Sequence, residues 1–117
     1  MKFVALITIV PNRNEEEAIE IAKKAGAGSV TIMQGNHIGL QEKKVFFGLT
    51  LEENVSVLLF ILPIRLSMEV LKAIKEKFNI DDLTHENGMV FTMPLSHVSG
   101  FDKEELSKFE NNIKNTL

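Results

Sequence analysis

Residues 25–35 read AGAGSVTIMQG, and the rest of the chain is organised around them. The small residues Ala25 to Gly28 close a helical pattern, and they suit the close approach and positive φ of a helix-to-strand turn. From Ser29 to Gln34, Val30 and Ile32 alternate with Ser29, Thr31 and Gln34, which predicts a strand with one buried face. Gly35 is read as the end of that strand. It opens a polar loop, NHIGLQEKK over residues 36–44, which carries one of three histidines. Binding residues concentrate on loops held by rigid strands.

Upstream, Phe3–Val10 is almost continuously apolar and β-branched, as a central strand should be, and Pro11 ends it. Asn14 followed by Glu15, Glu16 and Glu17 predicts a helix start, with Asn14 as N-cap and Glu17 closing a capping box. Ala18, Ile21, Ala22 and Ala25 form its apolar stripe. Downstream, Val45–Leu51 reads as strand-like, Glu52–Asn54 as a turn or bulge, and Val55–Leu62 as a strong strand stopped by Pro63. A helix to Phe78 carries Leu66, Val70, Leu71, Ile74 and Phe78 on one side. A strand over Met89–Leu95 follows, with Pro94 marking an edge or bulge. A last helix begins at Asp102, with Glu105 in capping-box position and Leu106, Phe109 and Ile113 as its stripe.

The order is β-α-β-β-α-β plus a C-terminal helix. This predicts an α+β, ferredoxin-like domain over residues 1–117: an antiparallel four-stranded sheet with two helices on one face. The other sheet face must also be covered. Phe46, Phe47, Leu58 or Leu59, and Phe60 are too apolar to leave wet, so a homo-oligomer with facing sheets is expected.

Composition narrows the function. The 117 residues are 44% hydrophobic and 25% charged, with a net charge of −3, so no global field attracts nucleic acid. With no cysteine there is no thiolate nucleophile and no cysteine metal cage. The apolar run Val57–Ile64 is too short to span a bilayer. MKFVALITIV superficially resembles a signal peptide but lacks a small-residue cleavage site and is read as a strand. A reducing, cytoplasmic setting is expected. No nucleophile–base pair and no G-x-x-x-x-G-K phosphate loop occurs, so an enzyme is not expected.

Three stretches carry a resemblance: AGAGSVTIMQG (25–35), FFGLTLEENVSVLLFILP (46–63) and ENGMVFTMPLSHVSGF (86–101). In this order and at these spacings the chain resembles the P-II signal-transduction (nitrogen regulatory) superfamily, and within it the P-II-like proteins. The resemblance implies a homotrimer with sheets facing a threefold axis and small effectors, usually adenine nucleotides, in the clefts between subunits. It also implies signalling through the loop after the second strand to a target protein such as a transporter or an enzyme. The matching segments here are Gly35–Lys44, Thr84–Gly88 and, from the neighbouring chain, His97–Phe101.

The expected ligand-binding residues are therefore Ser29, Gln34, Gly35, Asn36, His37, Thr84, His85, Glu86, Asn87 and Gly88. No catalytic residue and no metal motif is assigned. The departures from the nitrogen regulators bear on the ligand. There is no tyrosine to modify, LTHENGMVF replaces a glycine-rich phosphate cradle, and Glu86 repels an unmetallated polyphosphate. A smaller nucleotide, an anion or a metal ion is expected, and the residues alone identify no cofactor. The alternative reading is a divalent-metal-binding trimer similar to CutA-type proteins, with His37, His85 and Glu86 converging as ligands.

Overall fold

The computed structural model describes residues 1–38, 45–46, 49–50, 53–81 and 88–116. In order these form β1 (Phe3–Pro11), a 3-10 turn (Asn12–Asn14), α1 (Glu15–Ala25), β2 (Thr31–His37), β3 (Val45–Phe46), β4 (Leu49–Thr50), β5 (Glu53–Pro63), α2 (Ile64–Phe78), β6 (Met89–Pro94) and α3 (Lys103–Thr116). The main sheet has the order β2-β5-β1-β6, with every neighbouring pair antiparallel. That is the ferredoxin-like arrangement, with α3 added.

Register decides what each sheet face carries. Val4, Leu6, Thr8 and Val10 of β1 lie opposite Leu62, Phe60, Leu58 and Ser56 of β5. Directly opposed residues of an antiparallel pair project to the same side. That side meets Ala18 and Ala22 of α1 and Leu66, Val70, Ile74 and Phe78 of α2 in one apolar cluster. Phe109 of α3 joins the cluster, and its ring stands 6.1 Å from Phe3 and 5.8 Å from Phe101. The cluster thus closes at the lower end of the sheet, where β1 and β2 start and β5 and β6 end.

The opposite face is open. Ile7, Ile9, Val57, Leu59 and Ile61 are only half-buried there, and Met33, Met89, Phe91 and Met93 are exposed. The expectation that Phe60 belongs to this outer face is corrected. Phe60 opposes Leu6 and is 1% exposed, deep in the helix-covered core. Of the two leucines, Leu58 is in the core and Leu59 is on the open face. Phe47 lies outside the described residues.

Three local readings are also corrected. β2 does not end at Gln34 but continues through Gly35 to His37, because Glu53, Asn54 and Val55 offer it a paired backbone. Glu53 and Asn54 are accordingly strand, not turn. The expected strand over 45–51 appears as β3 and β4, which pair with each other (Val45 with Thr50, Phe46 with Leu49) in a separate two-stranded sheet. At α1, Asn14 precedes the helix but makes no side-chain cap bond. The 3-10 turn already bonds the Glu15 N–H to the Asn12 carbonyl, which leaves less for a cap to do. Glu17 instead pairs with Lys77 of α2 at 3.1 Å. The predicted cap of α3 does form, with the Glu105 N–H donating to Asp102 Oδ1 at 2.8 Å.

Glu15 ties three elements together. The buried Ser56 hydroxyl of β5 donates to Glu15 Oε1 at 2.8 Å, and the Gln34 amide of β2 donates to the same oxygen at 2.9 Å. Asn12 Oδ1 also lies 2.8 Å from Ser56 Oγ, so one hydroxyl proton serves two acceptors. Ser56 first, and Gln34 after it, hold the Glu15 carboxyl below its ordinary value of 4.5, while desolvation opposes them.

Two outcomes follow from this packing. Phe60→Ala should lower unfolding free energy by about 3–5 kcal/mol in a denaturant titration, as expected for a ring lost from a closed core. A lowered carboxylate pKa contributes stability that is present above the unfolded value and lost as pH falls through the folded value. Acid titration of stability should therefore show wild type losing more than Glu15→Gln as pH drops below about 4.5.

Candidate functional site

The upper end of the sheet, where β1 and β2 finish and β5 and β6 begin, holds a cleft of about 190 Å³. It is lined by Ile9, Val10 and Pro11 of β1, His37 of β2, Glu53 and Val55 of β5, and Gly88 and Met89 at the start of β6. By register, His37 opposes Glu53 and Ile9 opposes both Val57 and Met89, so the cleft opens onto the apolar outer face. Across the rim, Arg13 reaches Glu53 at 3.8 Å, an exposed and weak ion pair.

Gly88 is there for a backbone reason. Its φ is +120°, and a Cβ would stand 2.3 Å from the Ile9 carbonyl oxygen. Only glycine lets the chain turn into β6 this close to β1. Gly35 is different: a Cβ would make an ordinary 3.7 Å contact with Val55, and its φ is not in the left-handed region. Its place in mid-strand does not require glycine.

Of the ten expected ligand residues, His37 and Gly88 are brought into one cleft. Asn36 precedes His37 on the upper end of β2, opposite Asn54. Gln34 faces the helices and is held by Glu15. Ser29 sits before the lower end of β2 and donates to Glu105 of α3 at 2.9 Å. The six residue steps of β2 separate it from His37 by roughly 20 Å or more. Thr84, His85, Glu86 and Asn87 lie outside the described residues. Among the described residues no group of three metal-ligating side chains converges.

The segment after β6 is at the lower end, where Leu95 N–H bonds to the Phe3 carbonyl. There His97 Nε2 and Ser99 Oγ are 2.7 Å apart and exposed. Within one chain this segment and the His37–Gly88 cleft occupy opposite ends of the sheet.

Residue-by-residue reading missed Ile9, Pro11, Glu53, Val55 and Met89. Each looks like ordinary strand or turn until the register aligns the upper ends of four strands on one face. Ile9, Val55 and Met89 belong to the set that the helices do not cover, which the strand register decides and the apolar sequence of β1 and β5 does not signal.

The sequence matches no protein-family model and no curated protein. Solved structures do match its fold. A nitrogen regulatory P-II-like protein from Thiomonas intermedia K12, CPII, solved with ADP, AMP and bicarbonate, has 16% identity and a TM-score of 0.63, over 86% of this chain and 98% of that one. B. subtilis GlnK has 15% identity and a TM-score of 0.61, over 82% and 87%. A Bacillus cereus protein related to NIF3 has 18% identity and a TM-score of 0.61, over 82% of this chain. This chain spans 26% of that protein's length. Among the described residues no helix is long and apolar enough to cross a membrane. The resemblance carried by three stretches of sequence is met in three dimensions: the chain has the fold of the P-II-like signalling proteins.

Proposed function

We propose that this chain is a single-domain P-II-like regulatory protein, not an enzyme, that binds a small effector in the clefts of a homotrimer. The observation that carries this reading is that His37 and Gly88, from two separately expected segments, line one cleft that opens onto the apolar sheet face. In a trimer with these faces inward, the neighbouring chain supplies the missing wall, and His97–Phe101 is the segment it would bring. Gln34, Gly35 and Asn36 then lead out of the site into the loop that ends at Lys44. Thr84, His85, Glu86 and Asn87 precede Gly88 in sequence and are proposed to belong to the same site, whereas Ser29, at the lower end of β2, lies too far away to share it within one chain.

The effector class is an adenine nucleotide or another small anion, in keeping with the ligands of CPII. Signalling requires the effector to bind one conformation of the loop expected between His37 and Lys44 better than another. That loop then meets or releases a cytoplasmic target, such as a transporter or an enzyme.

Thermal unfolding with ATP, ADP, AMP, cyclic nucleotides, 2-oxoglutarate, bicarbonate and divalent metals tests the site, since a ligand of the folded state raises the midpoint. A nucleotide or anion should raise it, and His37→Ala should weaken that ligand by about tenfold or more. A shift with divalent metal alone would favour the metal-binding trimer instead. No shift with any of them would remove the effector reading.

The assembly has its own test. Phe91→Lys, at an open-face position 36% exposed in the single chain, should dissociate the trimer while leaving the circular dichroism spectrum folded, because a charge would otherwise be buried unpaired. A stable trimer carrying this change would exclude inward-facing sheets.

A further inference from the structure

α2 carries two apolar stripes. Leu66, Val70, Ile74 and Phe78 are buried in the core. The second stripe runs from Ile64 through Met68 to Leu71, which is half-buried against the core, and on to the Lys75 stem; Met68, Leu71 and Lys75 border a groove of about 650 Å³ on the outside of the helix. Ile64 is 45% exposed and Met68 57%, unusual for large apolar side chains on a helix whose core side is already satisfied.

Beside this stripe run four charges of alternating sign: Arg65, Glu69, Lys72 and Glu76. Both rows have the 4-3-4 spacing of a helix–helix seam and its flank. No ion pair joins any of the four to another described residue. Within the helix, Glu69 and Lys72, three apart, run acid first, but Arg65 precedes Glu69 and Lys72 precedes Glu76, the less favourable order for pairs four residues apart.

We propose that this face binds α2 of a second copy of the chain, antiparallel about a two-fold axis. In such a pair the same flank of each helix faces its copy. Centring the axis between Val70 and Leu71 sets Glu69 opposite Lys72 and Arg65 opposite Glu76, each twice by symmetry. A parallel pair would set every charge against its own kind. Among symmetric, unstaggered pairs the row of signs is self-complementary in the antiparallel orientation alone, and that points to another copy as the occupant. The helices lie on the sheet side away from the open face, so the contact is independent of the trimer and would join one assembly to another. A single helix pair is smaller than a standard interface of about 800 Å² per partner, so the association is weak and salt-sensitive.

Sedimentation velocity on the full chain, from about 10 μM to 1 mM protein, tests this. Wild type should associate beyond its base assembly as concentration rises, and less so in high salt. Glu69→Lys should weaken this association about tenfold or more, and Glu69→Lys combined with Lys72→Glu should restore it. All these positions are on the outside of α2, so folding is checked simply by circular dichroism. Absence of further association in wild type up to 1 mM would overturn the proposal. So would a Glu69→Lys variant that associates like wild type, or a double variant that fails to recover.

Discussion

Everything in this molecule depends on the register between β1 and β5. Leu6 opposite Phe60 and Thr8 opposite Leu58 commit one alternating set of side chains to the helices and the other set to the open face. A slip of β5 by one residue would exchange its two sets, placing Leu59 and Ile61 under the helices and exposing Phe60. Both strands are nearly all apolar, so alternation within either one does not choose between these states. In the fold, Leu6, Leu58 and Phe60 share one buried cluster with Ala18 and Ala22 of α1 and with Leu66, Val70, Ile74 and Phe78 of α2.

The same register builds the cleft. Strand ends on one face, Ile9 and Pro11 beside Val55 and Glu53, become neighbours only because β1 and β5 are aligned as they are. β6 can start against β1 only because Gly88 leaves room for the Ile9 carbonyl. β2 is held at its helix-facing side by the Gln34 amide on Glu15, the carboxylate that also receives the Ser56 hydroxyl. The strand that presents His37 is thus anchored to β5 and to the start of α1, three residues below the cleft.

The proposed function and the proposed helix pairing draw on three surfaces of the folded chain: the open sheet face, the upper cleft and the outer face of α2. The first two adjoin at the upper end of the sheet. The third lies across the sheet and is separate from both. Its charges are spaced for a partner whose order of signs is the reverse of its own.

Much of this was legible in the amino-acid order. Helix starts and stops at Gly26, Pro63 and Asp102, the apolar strands, and the β-α-β-β-α-β succession follow from local chemistry, in which each residue acts on its near neighbours. The candidacy of His37 and Gly88 came instead from the resemblance of their segments to the P-II-like proteins. Tertiary structure decided the rest, because it depends on pairing between distant residues. The pairing with β5 carried β2 past Gly35, sent Phe60 inward and Leu59 outward, and left Asn14 without a cap bond while Glu15 was drawn to Ser56. Sequence patterning sets how apolar each strand is. Only the opposing strand determines which of its faces the helices cover.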